Sequence, residues 1–330
     1  MERWDNRLFT DALVDLGDHE NDAFRGVMAP LGEVGQKRLG VNATFLKKAE
    51  SYYKKYQGFD YWRWALTEAL ARIEITDPKI IVEYGCGFGN ATLPMLDIFP
   101  TSKVVASDIS PNLLAILGRL LVSRGLNDRC TPIALDAHKP YLREGSADLV
   151  FGAAILHHLV EPGQFIASAL RVVKPGGSAF FFEPFEGGLA ILRLILDEVI
   201  REANRRGVLN RFRIPFLVTK RFADKLRPQI FRSAIPGWRD MDDKWAFPRS
   251  VLEKIARDNN ADIQIYGLHD NVGQFKRHFS YQMSVNRFTK PSSFPSWVWD
   301  IFDRYDTEIF SPEMLKDLAI EGCVIFTKRS

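Results

Sequence analysis

The spacing of apolar positions divides the chain into regions before any motif is considered. In 44–56 (TFLKKAESYYKKY) and 61–73 (YWRWALTEALARI) apolar side chains recur three and four residues apart, the period of a helix with one buried face. These segments predict a helical N-terminal cap over 1–77. Asp77-Pro78 closes it, because the residue before a proline is pushed out of the helical conformation. From Lys79 the period changes. Ile80-Ile81-Val82 is a short apolar, β-branched run, as a strand buried on both faces should be, and 103–107, 132–135, 149–154 and 179–182 read as further strands. Helical segments separate them: one over 90–99, one opened by Ser110-Pro111 and stopped by Gly125, and one over 162–172. Strand and helix in alternation predict an α/β fold, a doubly wound, mostly parallel, seven-stranded sheet.

The rhythm is lost after Pro184 and resumes with a helix at 249–259 and a strand at 263–266. It is lost again over 268–318, before a last strand at 323–327. The expected organisation is a cap (1–77), a cofactor-binding core (78–184), an inserted lid or substrate region (185–247), and a C-terminal part (248–330) that completes the sheet. Long insertions on late strands of a compact sheet point to a functional lid rather than slack chain.

Composition narrows the class without naming it. Hydrophobic residues make up 46% and charged residues 26% of the 330 positions, the balance of a folded globular protein. The net charge of +3 is too small to imply nucleic-acid binding. Cys86, Cys130 and Cys323 are scattered, with neither zinc-site nor disulfide-framework spacing, so a reducing cytoplasm is the expected compartment and no metal site is expected. The first residues are charged throughout and hold no signal-peptide core, and no apolar run is long enough to span a membrane.

The chemistry gathers where predicted strands end. Glu83-Tyr84-Gly85-Cys86-Gly87-Phe88-Gly89 follows a buried strand and opens a helix. Glycines there let backbone turn sharply and approach a ligand, and a helix N-terminus offers oriented N–H groups. The third glycine falls one residue too early for a dinucleotide fingerprint, with Asn90 in its place, and no Gly-Lys-Ser/Thr of a P-loop occurs. Asp108 ends the second strand, where a carboxylate can accept from ribose hydroxyls, and Asp136 ends the third, where it can accept from an exocyclic amine. Each alone also reads as a turn or helix-start residue.

Together these motifs resemble the class I S-adenosylmethionine-dependent methyltransferases, in particular the type 11 small-molecule group. The resemblance covers about 79–184, with weaker support at 249–266 and 323–327. EYGCGFG matches the glycine motif, SDISPNLL the ribose-acid motif and LDAH the adenine-acid motif; ADLVFGAAILHHL and RVVKPGGSAFFFEP match the strand-four and strand-five motifs. The resemblance implies a Rossmann-like fold and S-adenosyl-L-methionine as cofactor. It implies that Gly85, Cys86, Gly87 and Gly89 cradle the methionine end while Glu83 orients the loop and the amino group. It further implies that Asp108 holds the ribose, Ile109 packs on the adenine, and Asp136 with the Ala137 N–H meets the adenine edge.

The implied reaction is in-line methyl transfer to an oxygen or nitrogen of a small molecule or glycoconjugate. His157, just past strand four, is the expected general base, since histidine titrates near neutral pH. His158 competes with it, and Glu183 and Glu186 are second-line choices; His19, His138, His269 and His278 read as structural or surface residues. The alternatives are a protein or other macromolecular methyltransferase and a non-catalytic cofactor-binding partner or sensor. A nucleic-acid amino group is disfavoured, because strand four ends Phe151-Gly152-Ala153-Ala154 instead of Asp/Asn-Pro-Pro-aromatic. The segment 185–240 carries twelve Lys/Arg against six acids, ten of the twelve being arginine. That bias suits an anionic acceptor or a peripheral membrane contact, and equally a solvated basic face.

Overall fold

A computed structural model describes residues 5–36, 47–208, 211–230, 236–268 and 272–329. Among these residues nine strands form one sheet: β1 (Leu13–Asp15), β2 (Met28–Pro30), β3 (Ile80–Tyr84), β4 (Lys103–Asp108), β5 (Cys130–Ala134), β6 (Ala147–Ala153), β7 (Val173–Pro184), β8 (Ala261–Gly267) and β9 (Glu321–Lys328). Their spatial order is β1-β2-β5-β4-β3-β6-β7-β9-β8. β5, β4, β3, β6 and β7 pair in parallel, so their carboxyl ends share one edge. The order reverses beside β3, the position at which open α/β sheets bind ligands.

The expected seven strands are all present, and two more precede them. The N-terminal region is helical at Ala49–Tyr56 and Phe59–Leu70, but Leu13–Asp15 and Met28–Pro30 are strands, which corrects its reading as a helical cap. Each is three residues long, too short to show a period of two. They pair antiparallel with each other, and Met28 continues the sheet in parallel beside Ile133. Buried Asp5 accepts from Thr131 Oγ1 at 2.6 Å, and a bridge from Phe9 to Leu142 fastens the same segment further along. The part of the 44–56 helix before Lys47 lies outside the described residues.

Local signals explain the core elements. The Ser110 hydroxyl caps the helix Pro111–Arg124 by accepting from Leu113 N–H at 3.3 Å; Pro111 occupies its first turn, and Gly125 ends it in the left-handed region at φ 65°. Lys174-Pro175-Gly176-Gly177 does not separate helix from strand. It lies inside β7, where the register jumps from Ala147↔Val173 to Leu149↔Ser178.

The described chain divides into two compact units. The first, 5–182 with 253–264 and 324–329, holds the sheet; Ile81, Val82, Val104, Val105, Leu149 and Val150 are fully buried within it. The second, 183–252 with 265–323, is chiefly helical, built from Glu186–Arg205, Arg213–Ile230, Gln274–Ser284, Ser296–Thr307 and Pro312–Asp317. Its core includes Leu192, Leu196, Phe275, Phe279 and Phe302, with the Phe279 and Phe302 rings stacked at 4.8 Å. Asp306 fixes the start of Gln274–Ser284 by accepting from the N–H groups of Phe275 and Lys276.

Candidate active site

Successive residues on β3 face opposite sides of the sheet, so Glu83 and Tyr84 serve different surroundings. Glu83 is fully buried. Its Oε2 accepts from Thr92 Oγ1 at 2.5 Å, whereas Oε1 is buried without a hydrogen-bond partner among the described residues. Burial pushes its carboxyl up to about 8; the Thr92 hydrogen bond opposes that rise and the Asp108 charge adds to it. Around neutral pH the protein alone therefore holds Glu83 largely protonated.

The turn after Tyr84 needs its glycines. Gly85 and Gly89 have φ of 70° and 94°. A Cβ on Gly85 would stand 2.9 Å from Ile155, and one on Gly89 2.5 Å from Leu117 Cδ1, so side chains are excluded by backbone strain and by space together. Cys86 is buried, and its N–H donates to Ser107 O at 3.0 Å; desolvation raises its thiol well above the ordinary value, which makes it an inert part of the turn.

Asp108 closes the cradle from β4. Its Oδ2 accepts from Gly87 N–H and its Oδ1 from Ser110 N–H, both at 2.8 Å. The carboxylate thus ties the glycine turn to the next helix start, and it still has acceptor capacity, since an ionised carboxylate offers about four lone-pair sites. Desolvation raises its pKa against the backbone hydrogen bonds. Asp136 behaves differently: its Oδ1 accepts from the His138 backbone N–H at 3.0 Å and lies 2.8 Å from His138 Nδ1. The His138 contact leads in holding its pKa below the usual carboxylate range. Ile109 and Ala137 are half-buried beside these two acids.

β6 brings the candidate base to the same edge. Ala154 takes φ 62°, rare for a residue with a side chain, and donates its N–H to Phe182 O at 3.0 Å. This turns Ile155 against Gly85 and Gly152; a Cβ on Gly152 would come within 2.6 Å of Ile155 Cγ2. His157 and His158 follow in the short turn Leu156–His158, half-buried, with ring centroids 4.0 Å apart. Strain of this kind concentrates at functional sites. Glu183, the penultimate residue of β7, is buried and belongs to the second unit, as does Glu186 in the first turn of Glu186–Arg205.

The N-terminal helices reach the cradle through contacts that the motifs alone did not reveal. Tyr52 and Tyr53 set their ring edges against Phe88 of the glycine turn at 5.9 and 5.1 Å, and Trp62 meets Phe182 edge-on at 5.5 Å. Asn90 accepts from Gly58 N–H and donates to Tyr56 O. Asn90 and Thr92 were visible only as polar residues within three positions of the last glycine. The basic segment is partly self-neutralised: Arg205 and Arg206 both pair with Glu202, Lys220 with Asp224 and Lys225 with Asp243. His269 and Arg232 lie outside the described residues.

A glycine turn and strand-end acids at the switch point of a parallel sheet place this site where α/β folds bind ligands. Residues 82–181 match the Methyltransf_11 family model, described as a methyltransferase domain. The chain is 30% identical over 136 residues to a trans-aconitate 2-methyltransferase of Pseudomonas aeruginosa, covering 40% of this chain and 46% of that protein. It is 24% identical over 112 residues to the sterol 4-C-methyltransferase strm-1 of Caenorhabditis elegans, covering 34% and 33% respectively. The chain thus spans less than half the length of these relatives. Among solved structures it resembles the phosphoethanolamine N-methyltransferase 2 of Haemonchus contortus in complex with S-adenosyl-L-methionine, at 16% identity and a TM-score of 0.50 over 89% of this chain and 59% of that one, a likeness of fold. No described helix is long and apolar enough to cross a membrane.

The residues present fit the cofactor. A buried carboxylate oxygen without a partner, beside a glycine turn that side chains would fill, is a place for a cationic, hydrogen-bond-donating group.

Proposed function

We propose that this protein transfers a methyl group from S-adenosylmethionine to an oxygen or nitrogen of a small, anionic acceptor, with His157 as general base. The observation that carries the reading is the coupled cradle: Asp108 gripping Gly87, Glu83 buried with an open oxygen, and Ile155 wedged on Gly85 so that His157 stands two residues from the same turn. When bound, the cofactor supplies an electrophilic methyl group on a sulfonium.

The protein's own residues then divide the work. Glu83 Oε1 takes the amino group of the methionine end, and the incoming positive charge favours its ionised form. Asp108 takes ribose hydroxyls with its remaining lone pairs, and Asp136 with the Ala137 N–H meets the adenine edge. Ile109 and Ile155 supply apolar surface. His157 removes the acceptor's proton as the new bond forms, which a hydroxyl or ammonium acceptor requires and a carboxylate does not. An anionic acceptor agrees with the cationic excess of 185–240 and with the trans-aconitate named for the bacterial relatives.

Calorimetry with S-adenosylhomocysteine tests the cradle first. Mass spectrometry of small carboxylates and phosphate esters incubated with protein and cofactor then tests transfer. A protein that binds no S-adenosylhomocysteine defeats the reading at its root. One that binds it but methylates only macromolecules corrects the acceptor.

A further inference from the structure

The connection from β5 to β6 is irregular chain, not a helix, and it runs beside the N-terminal segment. The two are laced together: Thr10 N–H donates to Tyr141 O and Arg143 N–H to Leu8 O. Beneath them is a cavity of about 190 Å³, lined among others by Thr10, Tyr84, Lys139, Arg143, Ser168 and Arg171. Tyr84 is 5% exposed, and its hydroxyl has no hydrogen-bond partner among the described residues. Tyr84 is one of the residues that line the cavity. Leaving a buried hydroxyl unpaired is unfavourable, and sites that do so commonly hold a ligand.

The lining has a sign. Lys139 pairs with Glu33 at 2.6 Å, and Arg171 meets Glu144 at 3.7 Å while donating to Ser168 Oγ. Arg143 has no ion pair among the described residues. With Lys139 set against Glu33 and Arg171 against Glu144, Arg143 is the cation left over, and it gives the wall its net positive sign. The Ser168 hydroxyl, which accepts from Arg171, keeps its own proton to donate.

We propose that this cavity binds a compact anion, a phosphate or small carboxylate, held by the Tyr84 hydroxyl with Arg143, Arg171 and Ser168, and that its occupancy sets the cofactor loop. The volume admits a metabolite fragment and is too small for a second nucleotide. Tyr84 immediately precedes Gly85, and Ala137, which also lines the cavity, immediately follows Asp136. An anion here would therefore fix the backbone on the opposite side of β3 from Glu83. The coupling rests on the cofactor reading above; the anion site does not.

Calorimetric titrations with inorganic phosphate and with succinate, at constant ionic strength, test the site and separate the two anion types. Saturable binding is expected for at least one, weakened roughly tenfold by Tyr84→Phe and by Arg143→Ala, the cost of one hydrogen bond to a charged group. Tyr84→Phe should fold normally, since it removes a hydroxyl that pairs with nothing. No saturable binding of either probe, or binding unchanged in both variants, overturns the site. S-adenosylhomocysteine titrated with and without the bound anion tests the coupling. An affinity shift lost in Tyr84→Phe is expected, and an unmoved affinity overturns the coupling alone. If S-adenosylhomocysteine fails to bind at all, the cofactor reading fails while the anion titrations still decide the site.

Discussion

The Asn90 side chain grips the bend between the two N-terminal helices with both ends of its amide: Nδ2 donates to Tyr56 O at 2.8 Å, and Oδ1 accepts from Gly58 N–H at 3.0 Å. Asn90 is also the residue after Gly89, so the two helices are fastened to the glycine turn itself, with Phe88 against Tyr52 and Tyr53 as the apolar half of the joint. Asn90→Ala removes two hydrogen bonds and should cost roughly 1–3 kcal/mol. Urea unfolding should report that loss, and calorimetry a weaker affinity for S-adenosylhomocysteine. Wild-type values in both would show that the two helices hold without it.

Asp108 has two duties that substitution can separate. It grips Gly87 and Ser110 in the protein alone and, in the proposed function, takes the ribose. Asp108→Ala should lower cofactor affinity by roughly 1.5–3 kcal/mol for each charge-assisted hydrogen bond lost and should also destabilise the protein without ligand. Asp108→Asn keeps one acceptor oxygen and should recover part of the stability. Unchanged affinity in Asp108→Ala would remove Asp108 from the site.

Glu83 predicts a pH dependence of definite sign. Its carboxyl is raised to about 8 in the folded protein and titrates in the ordinary carboxylate range when unfolded. Between those values the folded state binds the extra proton, so the Glu83 contribution to stability falls as pH rises, at roughly 1.4 kcal/mol per pH unit, and levels off above the folded value. Glu83→Gln should flatten this slope and make the protein without ligand more stable than wild type at pH 8–9, as urea titrations across pH would show. Because the bound cofactor's cation favours the ionised form, its binding should release protons near neutral pH. Calorimetry in buffers of different ionisation enthalpy detects that release, and Glu83→Gln should abolish it.

How much of this was legible in the sequence depended on the range of each constraint. The glycine turn, the ends of β3 and β4, and the cap and stop of Pro111–Arg124 are local. Their residues are dictated by φ, by burial on both faces and by capping, so position along the chain revealed them. β1 and β2 were not legible, because three residues carry no period and their pairing is settled by Met28 meeting Ile133, more than a hundred residues away. The same holds for Asn90 and Tyr56. Asp136 was legible as an acid at a strand end but not as the partner of His138, since a turn that returns a side chain to its own backbone leaves no periodic trace.

His157→Ala should lower turnover by about 10²–10⁴-fold, the usual worth of a general base, while leaving S-adenosylhomocysteine affinity near wild type. His158→Ala discriminates between the neighbours, whose rings lie 4.0 Å apart. A larger loss in His158→Ala moves the assignment by one residue, and equal activity in both shows an acceptor that needs no base, as a carboxylate would.

The basic insertion separates into two kinds of arginine, and they should respond differently. Arg205 and Arg206 close on Glu202, at 2.6 Å each, near the end of Glu186–Arg205, and Arg206 also lies over the Trp297 ring at 4.9 Å. Hydrogen bonds from the two guanidinium groups hold the Glu202 carboxyl down to about 2, so this cluster stays intact over the working pH range. Arg211 and Arg213 are exposed, and neither has an ion pair among the described residues. If the acceptor is anionic and the insertion draws it in, Arg211→Ala with Arg213→Ala should raise acceptor KM, flatten its salt dependence and leave cofactor affinity unchanged. The pair Arg205→Ala with Arg206→Ala should instead lower the melting temperature, since it frees Glu202 and uncovers Trp297, with a smaller effect on KM. Should the two pairs act alike on KM, Glu202 does not sequester its arginines in solution. Should neither move KM at any salt concentration, the acceptor is not recognised by charge in this segment, and the arginines solvate a surface.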